Sequence, residues 1–548
     1  MSPTPPGLEI RPHPTKGRAL YSTQSFVPGQ TIRIFACPVL LLPSTAHLSA
    51  VCSYCLRLGE PRACSGCQAV WYCGKACQAA AWKSTLSTVG HARECSIFRK
   101  QRLAGRPSGN LPTPVRALLQ MLLDDDVARV VDALEGHVVQ RRGRNEEWKD
   151  LQLMAMAACA YAKGRAEEGE LKRAVELLCK IQTNAFHRSD ADLGQVGIFL
   201  EPTLAMANHS CLPNAMVEFS TRKAILRAER PIQAGEEIEI SYTDPTDYTY
   251  PLTKRVEALA QYCFQCACSR CTEDLNVYQV CAMTKSTTPA GLSLVPDASK
   301  LRAHPAARDQ AQHALVKSMG ESAAGPIEPP PATASLPLRR HLLRSQYGNC
   351  QGLVAGELWA VTPVPQMLSE LVMYYVEDGN YPFALSVACL IATASDPSRF
   401  VSPFHPTRAK NLLMVAKLLS HTAEGTAGLG KSVKSVAGSV HLEQDVQDTL
   451  QDIDQVSLCQ MLLVMVLRTA LPGDADDGGL AARAREMLDD IEQLQGRQKE
   501  LSFINPWIED PGSEQSTAFF DYAVAQQVDA LASLGRAVLH MDFGPDNR

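Results

Sequence analysis

Cysteine is the residue type that most constrains this chain. The 548-residue sequence holds 19 cysteines, of which seven lie between Cys52 and Cys95 and four between Cys263 and Cys271. Small secreted domains use dense cysteines for disulfides, but this chain is long and begins with neither the basic nor the apolar segment of a signal peptide. The clusters therefore favour zinc sites in a reducing compartment, with disulfides as the alternative.

The spacing of the cysteines indicates how many zinc ions the chain can hold. The first cluster contains eight candidate ligands in four close pairs: Cys52 and Cys55, Cys64 and Cys67, Cys73 and Cys77, His91 and Cys95. Two tetrahedral zinc ions need eight nitrogen or sulfur donors. The second cluster, Cys263, Cys266, Cys268 and Cys271, could close a third site by itself, and Cys211 is a fifth candidate there. Closed four-coordinate sites leave no position for water, so the three predicted ions are structural.

The pattern of hydrophobic residues predicts an α+β protein. Short apolar runs broken by Pro and Gly indicate strands in residues 8–50 and again in residues 183–244. Between them, Val115, Leu118, Leu119 and Leu122 recur at helical spacing, and residues after 340 are mostly helical. One β unit is thus interrupted by a zinc segment at 52–95 and a helical insert at 96–182, and followed by a zinc segment at 262–271 and a helical domain at 340–548. The pair around Gly379-Asn380-Tyr381 resembles a tetratricopeptide pair, although ordinary helix packing explains it equally well.

Composition argues against some functional classes. Hydrophobic residues make up 45% and charged residues 20%, and the net charge is −5, which is unlike a general nucleic-acid or membrane-surface binder. No apolar run approaches the ~20 residues that span a bilayer. We therefore expect a soluble protein of the cytoplasm, the nucleus or both. Residues 51–106 hold nine Lys and Arg against two Asp and Glu, a local charge of +7, which keeps nucleic acid open as a partner of this segment.

The first cluster resembles a MYND zinc finger, including Trp71-Tyr72 before Cys73 and Trp82 beyond it. In that family the ligands interleave. The resemblance implies one zinc on Cys52, Cys55, Cys73 and Cys77 and a second on Cys64, Cys67, His91 and Cys95. It also implies a protein-binding module, often for proline-rich peptides.

The run Asn208-His209-Ser210-Cys211 followed by Gly235–Tyr242 resembles the core of a SET domain, and Tyr262–Cys271 resembles its cysteine-rich post-SET segment. In that family one zinc is shared by Cys211, Cys266, Cys268 and Cys271, which leaves Cys263 free. The order of segments resembles the SET-and-MYND family of protein-lysine methyltransferases. Recognisable motifs cover residues 16–271.

The resemblance implies S-adenosylmethionine as cofactor and assigns a role to nine residues. The residues that it places near the cofactor are Lys16, Gly17, Asn184, Asn208, His209, Tyr242 and Phe264. The resemblance also implies that Tyr242 places its hydroxyl near the transferred methyl group and that Tyr262 and Phe186 line the channel for the substrate lysine. The strand pattern independently places Tyr242 on the apolar side of Ile238 and Ile240. In the first loop, Thr15-Lys16-Gly17-Arg18 keeps only one glycine of the family's Gly-x-Gly. Lys16 is therefore interpreted either as a partner of the cofactor carboxylate or as a residue that narrows the site.

Two hypotheses of function follow. The first is a monomeric S-adenosylmethionine-dependent protein-lysine N-methyltransferase that acts on histones or on other proteins. The alternative is a non-catalytic adaptor or transcriptional co-regulator, in which a degenerate SET core is a scaffold and the finger and helical tail recruit partners.

Overall fold

The β structure of this protein is assembled from strands that lie far apart in the sequence. The computed structural model describes residues 7–83, 89–105, 111–164, 166–190, 194–243, 250, 252–273, 275, 303, 305, 309–323, 334–400, 402–423, 428–470 and 479–544. The chain divides into two compact units, one of Met1–Asp244 with Val256–Ala267 and one of Pro245–Arg255 with Cys268–Arg548. The predicted domain ends at Asp244 and at 545–548 lie outside the described residues.

Within the described residues, all strands belong to the first unit and form five small sheets. The strands are Leu8–His13 (β1), Gly17–Ser22 (β2), Thr31–Phe35 (β3), Leu40–Pro43 (β4), Arg62–Ala63 (β5), Trp71–Tyr72 (β6), Phe186–Asp190 (β7), Gly194–Leu200 (β8), Asn208–His209 (β9), Ala215–Ser220 (β10), Lys223–Ala228 (β11) and Glu239–Ile240 (β12). Their orders are β1-β2, β10-β11-β3, β12-β9, β4-β8-β7 and β5-β6.

Two of these sheets confirm that one β unit is interrupted by inserts. Strand β3 pairs with β11, with Ile34 opposite Ile225, and β4 pairs with β8, with Leu41 opposite Phe199. Both pairings are antiparallel and join residues from before the first cysteine cluster to residues beyond the helices. Apolar side chains from these strands, such as Leu40 and Phe199, are fully buried in the core of the unit.

Helices fill the interval between the two groups of strands. They are Lys75–Trp82 (α1), His91–Leu103 (α2), Thr113–Leu122 (α3), Asp125–Val130 (α4), Val138–Arg142 (α5), Asn145–Lys163 (α6) and Glu168–Asn184 (α7). The apolar faces of α3, α6 and α7 pack into the same core as the strands. A capping box between Glu167 and Glu170 begins α7, because each side chain accepts a hydrogen bond from the other residue's backbone N–H. Helices Leu252–Leu259 (α8) and Ser269–Thr272 (α9) follow β12, with a 3₁₀ turn at Ala260–Tyr262.

The second unit confirms the prediction of a mostly helical C-terminal region. Its helices are Gln310–Ala323 (α10), Leu336–Asn349 (α11), Gln351–Ala355 (α12), Val364–Glu377 (α13), Tyr381–Leu390 (α14), Asp396–Arg399 (α15), Pro406–Thr422 (α16), Lys431–Ser439 (α17), Gln444–Asp452 (α18), Gln455–Thr469 (α19), Leu480–Glu492 (α20), Gln498–Glu509 (α21), Glu514–Phe520 (α22) and Gln527–Phe543 (α23). Two π-helical turns, Ile391–Ser395 and Asp521–Gln526, interrupt the helical runs.

The sequence pattern over residues 445–467 predicts one helix, and the structure corrects this to two. Helix α18 ends at Asp452, Ile453 is extended and fully buried, and Asp454 begins α19 as its N-cap. The Asp454 carboxylate accepts a hydrogen bond from the backbone N–H of Ser457 at 3.2 Å. A capping carboxylate satisfies N–H groups that a continuing helix would satisfy with carbonyls, so it favours a new start over continuation. No single described helix is long and apolar enough to cross a membrane. Among the described helices, only α18 and α19 taken together reach the length and apolar composition of a membrane span, and this pair is sharply bent.

Replacing Gly535 by Ala should destabilise the second unit. Gly535 lies on α23 where it contacts α14, and an added Cβ would come within 2.8 Å of the carbonyl carbon of Ser386. Overpacking of this kind costs about 1–3 kcal/mol, more than the gain of about 0.5–1 kcal/mol from replacing a helical glycine. The matched control is Gly348→Ala on α11, where nothing lies within 4 Å of an added Cβ. Thermal unfolding should show a lower midpoint for Gly535→Ala and an unchanged or higher one for the control; equal midpoints would contradict this.

Candidate functional site

The cysteines of the finger form two separate groups of possible metal ligands. Cys52, Cys55, Cys73 and Cys77 place their sulfurs within 4.8 Å of one another, with Cys55 and Cys73 at 3.8 Å. Zinc–sulfur bonds of about 2.3 Å in a tetrahedron put sulfurs about 3.8 Å apart, whereas a disulfide would join them at about 2.0 Å. None of these four cysteines is joined in a disulfide. The donor set and its spacing therefore fit a closed zinc site.

The second group contains Cys64, Cys67, His91 and Cys95, as the interleaved assignment implied. The Cys64 and Cys95 sulfurs are 3.9 Å apart, and His91 Nε2 lies 3.5 Å from the Cys67 sulfur. His91 and Cys95 share one face of α2 because they are four residues apart.

A buried ion pair supports this second group. His91 Nδ1 faces the Glu94 carboxylate at 3.4 Å, and Glu94 accepts two hydrogen bonds of 3.0 Å from Arg116 on α3. Burial alone would raise the pKa of Glu94, but the charge of Arg116 and the hydrogen bonds from His91 and Arg116 lower it to about 2. When Nε2 is given to a metal, Nδ1 carries the hydrogen and donates it to this carboxylate, which fixes the ring.

The third group is Cys211, Cys266, Cys268 and Cys271, whose sulfurs also lie within 4.8 Å of one another. Cys211 and Cys266 are 3.9 Å apart. Cys263 is not a member of the group, as the resemblance implied; it ends the 3₁₀ turn in a left-handed conformation with φ 59°. Of the two assignments that the sequence left open, the structure supports the shared one.

Three aromatic rings from two other parts of the sequence pack around the ring of Tyr242. Its ring centroid lies 4.9 Å from that of Tyr262, 5.3 Å from His209 and 6.1 Å from Phe264. Strand β9 pairs in parallel with β12, with Ile240 opposite His209, and this pairing brings His209 beside Tyr242. Ile238 and Ile240 are buried, and Tyr242 packs against the same core, so the predicted side of this strand is confirmed.

Hydrogen bonds fix the orientation of these rings. His209 Nδ1 accepts from the backbone N–H of Tyr242 at 3.0 Å, so Nε2 carries the hydrogen and lies 3.2 Å from the Cys211 sulfur. The Tyr242 hydroxyl donates to the carbonyl of Ala207 at 2.9 Å, and the Tyr262 hydroxyl donates to the Tyr242 carbonyl at 3.3 Å. Burial raises the pKa of Tyr242, with smaller contributions from Tyr262 and Glu237. Its hydroxyl is therefore neutral at physiological pH.

Lys16 lies in an ion-pair network. Its Nζ bonds to Glu237 at 2.9 and 3.0 Å and to Glu239 at 2.7 Å. These bonds raise its pKa although burial alone would lower it. The neighbouring Gly17 has φ +79°, a left-handed conformation that favours glycine, and no atom lies within 4 Å of a Cβ added there. Open space therefore borders the loop at Gly17.

Asn208 is connected to this loop. Its side-chain amide donates to the carbonyl of Arg18 at 3.0 Å and to Glu237 at 2.8 Å. Sequence reasoning missed Glu237. The alternation of Glu237 and Glu239 with the buried Ile238 and Ile240 is the signal that could have found it, because it places two carboxylates on the polar side of a half-buried segment.

The described contacts of Asn184 and Phe186 are not with the rings around Tyr242. Asn184 ends α7, where its amide donates to the carbonyls of Glu135 at 2.7 Å and Lys180 at 2.8 Å. Phe186 begins β7 opposite Phe199 and is half-buried against the core. Among the described residues, no ring contact joins Phe186 to Tyr242.

Residues 17–243 match the family described as SET domain. Three curated relatives are similar over about half of this chain. "Histone-lysine N-methyltransferase ASHR1" of Arabidopsis thaliana is 29% identical over 47% of this chain and 54% of its own length. "SET domain and MYND-type zinc finger protein 6" of Schizosaccharomyces pombe is 29% identical over 48% of this chain and 51% of its own. "N-lysine methyltransferase SMYD2" of Homo sapiens is 30% identical over 48% and 60%. Over these residues the chain is similar to proteins that combine a SET domain with a MYND-type zinc finger. It spans 51–60% of the length of these relatives.

We expect three zinc ions per chain. Each ligand group supplies the four sulfur or nitrogen donors of a closed site, and the small core around the first two groups consists largely of cysteines with Val70, Tyr72 and Phe98. A core that is this small depends on its metal for folding. Mass spectrometry of the native protein should find a mass increment of three zinc ions. One ion or none in folded protein would contradict the assignment.

Proposed function

We propose that this protein is an S-adenosylmethionine-dependent protein-lysine N-methyltransferase that acts on histone or non-histone proteins. The observation that carries the proposal is the cluster of Tyr242, Tyr262, Phe264 and His209 directly beside Asn208. An aromatic cluster next to exposed hydrogen-bonding groups suits a cationic ligand and a cationic substrate. Two of the three relatives reported above are named as lysine methyltransferases.

The residues at the site fit the cofactor. The Asn208 amide and the backbone of His209 offer polar groups for its amino-acid and adenine parts, Phe264 offers a ring for stacking, and Gly17 leaves open space beside the loop. The bound cofactor supplies an activated methyl group on a sulfonium. The structure leaves Lys16 paired with Glu237 and Glu239, which supports its interpretation as a wall of the site over that as a free partner for a carboxylate.

Tyr242 and Tyr262 prepare the reaction by excluding water from the substrate amine and by holding it in place. A lysine has a reference pKa of about 10.4 and must lose a proton before it can attack a methyl group. Burial against Tyr242 and Tyr262 disfavours the charged amine and lowers its pKa, and a nearby positive charge acts in the same direction. The neutral Tyr242 hydroxyl offers its oxygen to the reacting centre while its hydrogen is held by Ala207.

Calorimetry with S-adenosylmethionine, followed by transfer of a labelled methyl group to a panel of histones and cytosolic proteins, tests this function. We expect cofactor binding and labelling of at least one lysine-containing protein. The matched control is Asn208→Ala, which should bind the cofactor more weakly and label less protein. Absence of cofactor binding at millimolar concentration would exclude the enzyme and favour the adaptor.

We also propose that the MYND finger binds a proline-rich peptide and that the protein acts as a monomer in the cytoplasm, the nucleus or both. The exposed indole of Trp82, at 42% of its full accessibility, supports a peptide surface. Titration of a proline-rich peptide should change tryptophan fluorescence in the parent protein and not in Trp82→Ala. A duplex DNA oligonucleotide that competes for the same surface would favour nucleic acid. Imaging of a fluorescent fusion tests the location.

A further inference from the structure

Glu237 is the residue on which the network around Asn208 converges. Its carboxylate accepts hydrogen bonds from Lys16 Nζ and from Asn208 Nδ2, and His13 Nε2 lies 3.5 Å away. The side chain retains 16% of its accessibility, so it is largely removed from water. A charged group that is buried to this degree is normally held in one geometry by its partners.

The partners of the Asn208 amide determine which way it faces. Nδ2 donates to the Arg18 carbonyl at 3.0 Å and to Glu237 Oε1 at 2.8 Å. A carbonyl and an ion-paired carboxylate carry no hydrogen, so both neighbours require the NH₂ group rather than the oxygen. Turning the amide over would place Oδ1 against two oxygens. Within the described part of the chain, Oδ1 itself accepts no hydrogen bond.

An oxygen held in this way can only accept a hydrogen bond. We propose that Glu237 is a positioning residue that fixes the Asn208 amide, so that Oδ1 accepts a hydrogen bond from the α-ammonium group of the cofactor. Lys16 also holds the Glu237 carboxylate in place through two hydrogen bonds. The inference rests on the proposed function, and what it adds is the role of Glu237 in holding the Asn208 amide.

The chain contains a matched control for this role. Glu239 has the same charge, lies two residues further on and bonds to the same Lys16 Nζ, with 22% of its side chain accessible. The two amide hydrogens of Asn208, however, go to Arg18 and Glu237. Loss of negative charge near Lys16 is therefore common to Glu237→Gln and Glu239→Gln, and loss of the acceptor for Asn208 belongs to the first alone.

Calorimetry of the full chain with two probes separates positioning from general damage. S-adenosylhomocysteine carries the amino-acid arm, and 5′-methylthioadenosine lacks it. In Glu237→Gln, the new amide can give its oxygen to Lys16 and turn its NH₂ towards Asn208, which then rotates. We expect S-adenosylhomocysteine to bind at least about 10-fold more weakly and methylthioadenosine to bind within about twofold of the parent. Glu239→Gln should leave both within about twofold.

The results that would contradict the positioning role differ from the result that would reject the proposed function. Unchanged S-adenosylhomocysteine binding in Glu237→Gln, an equal loss for both probes, or an equal loss in Glu239→Gln would overturn the positioning role. In an Asn208→Ala background, Glu237→Gln should add no further loss, and a further tenfold loss would also overturn it. Glu237→Ala, which removes the acceptor without offering a donor, should give the same ranking if Glu237→Gln folds poorly. Failure of the parent protein to bind S-adenosylhomocysteine would instead reject the proposed function.

Discussion

Tyr242→Phe should lower methyl transfer by about 10–1000-fold, the range for loss of one hydrogen-bonding group at a transition state. The substitution keeps the ring, whose contacts with Tyr262 and His209 at 4.9 and 5.3 Å hold the aromatic cluster together. It removes the hydroxyl that is bonded to the Ala207 carbonyl. Because burial raises the pKa of this hydroxyl, its contribution is that of a neutral group, and the rate should not follow ionisation of Tyr242 between pH 6 and 9.

Measurement of turnover at saturating cofactor, with the cofactor dissociation constant determined in parallel, checks this expectation. The dissociation constant should move little, since the proposed function assigns most of the cofactor contacts to Asn208, His209 and Phe264. If turnover is unchanged in a protein that is shown to be active, Tyr242 is a packing residue and has no part in the chemistry.

Arg116→Met should destabilise the first unit by about 3–5 kcal/mol, the usual cost of leaving one member of a buried ion pair without its partner. Glu94 is 1% exposed and Arg116 is 7% exposed, so water cannot replace the lost bonds. The Glu94 carboxylate also orients His91, and Arg116→Met removes the two hydrogen bonds that hold this carboxylate in place. Loss of such support typically weakens metal binding about 10–100-fold. Thermal unfolding and competition with a chromophoric zinc chelator measure the two effects separately.

The double variant Glu94→Leu with Arg116→Met distinguishes the two roles of this pair. Replacing both charges by apolar side chains of similar size is often neutral for stability, so most of the lost unfolding free energy should return. Zinc affinity should stay low, because the double variant removes the carboxylate that orients His91. Recovery of zinc affinity in the double variant would show that the pair only packs the finger against α3.

The sequence determined those features whose cause is local. The spacing of Cys52 and Cys55 or of Cys73 and Cys77 fixes close ligand pairs, since two residues on one turn can reach one ion. The alternation of apolar and polar residues over 238–242 predicted the buried side of Tyr242. The helical spacing of apolar residues in the C-terminal region predicted the helices that the structure contains. The break before Asp454 was missed because apolar residues on both sides of it keep the helical period. The N-cap that begins α19 is a single side chain, which periodicity does not detect.

The tertiary structure alone decided which distant residues meet. Nothing in the spacing pairs Cys52 with Cys73 rather than with Cys64, and the resemblance to a MYND finger was needed to assign the interleaved ligands. The Glu94–Arg116 pair and the Glu237–Asn208 bond join residues 22 and 29 positions apart, on elements whose packing no periodic pattern specifies. Local periodicity reports which face of an element is buried, but a buried charge or amide is satisfied only by the particular neighbour that folding brings to it.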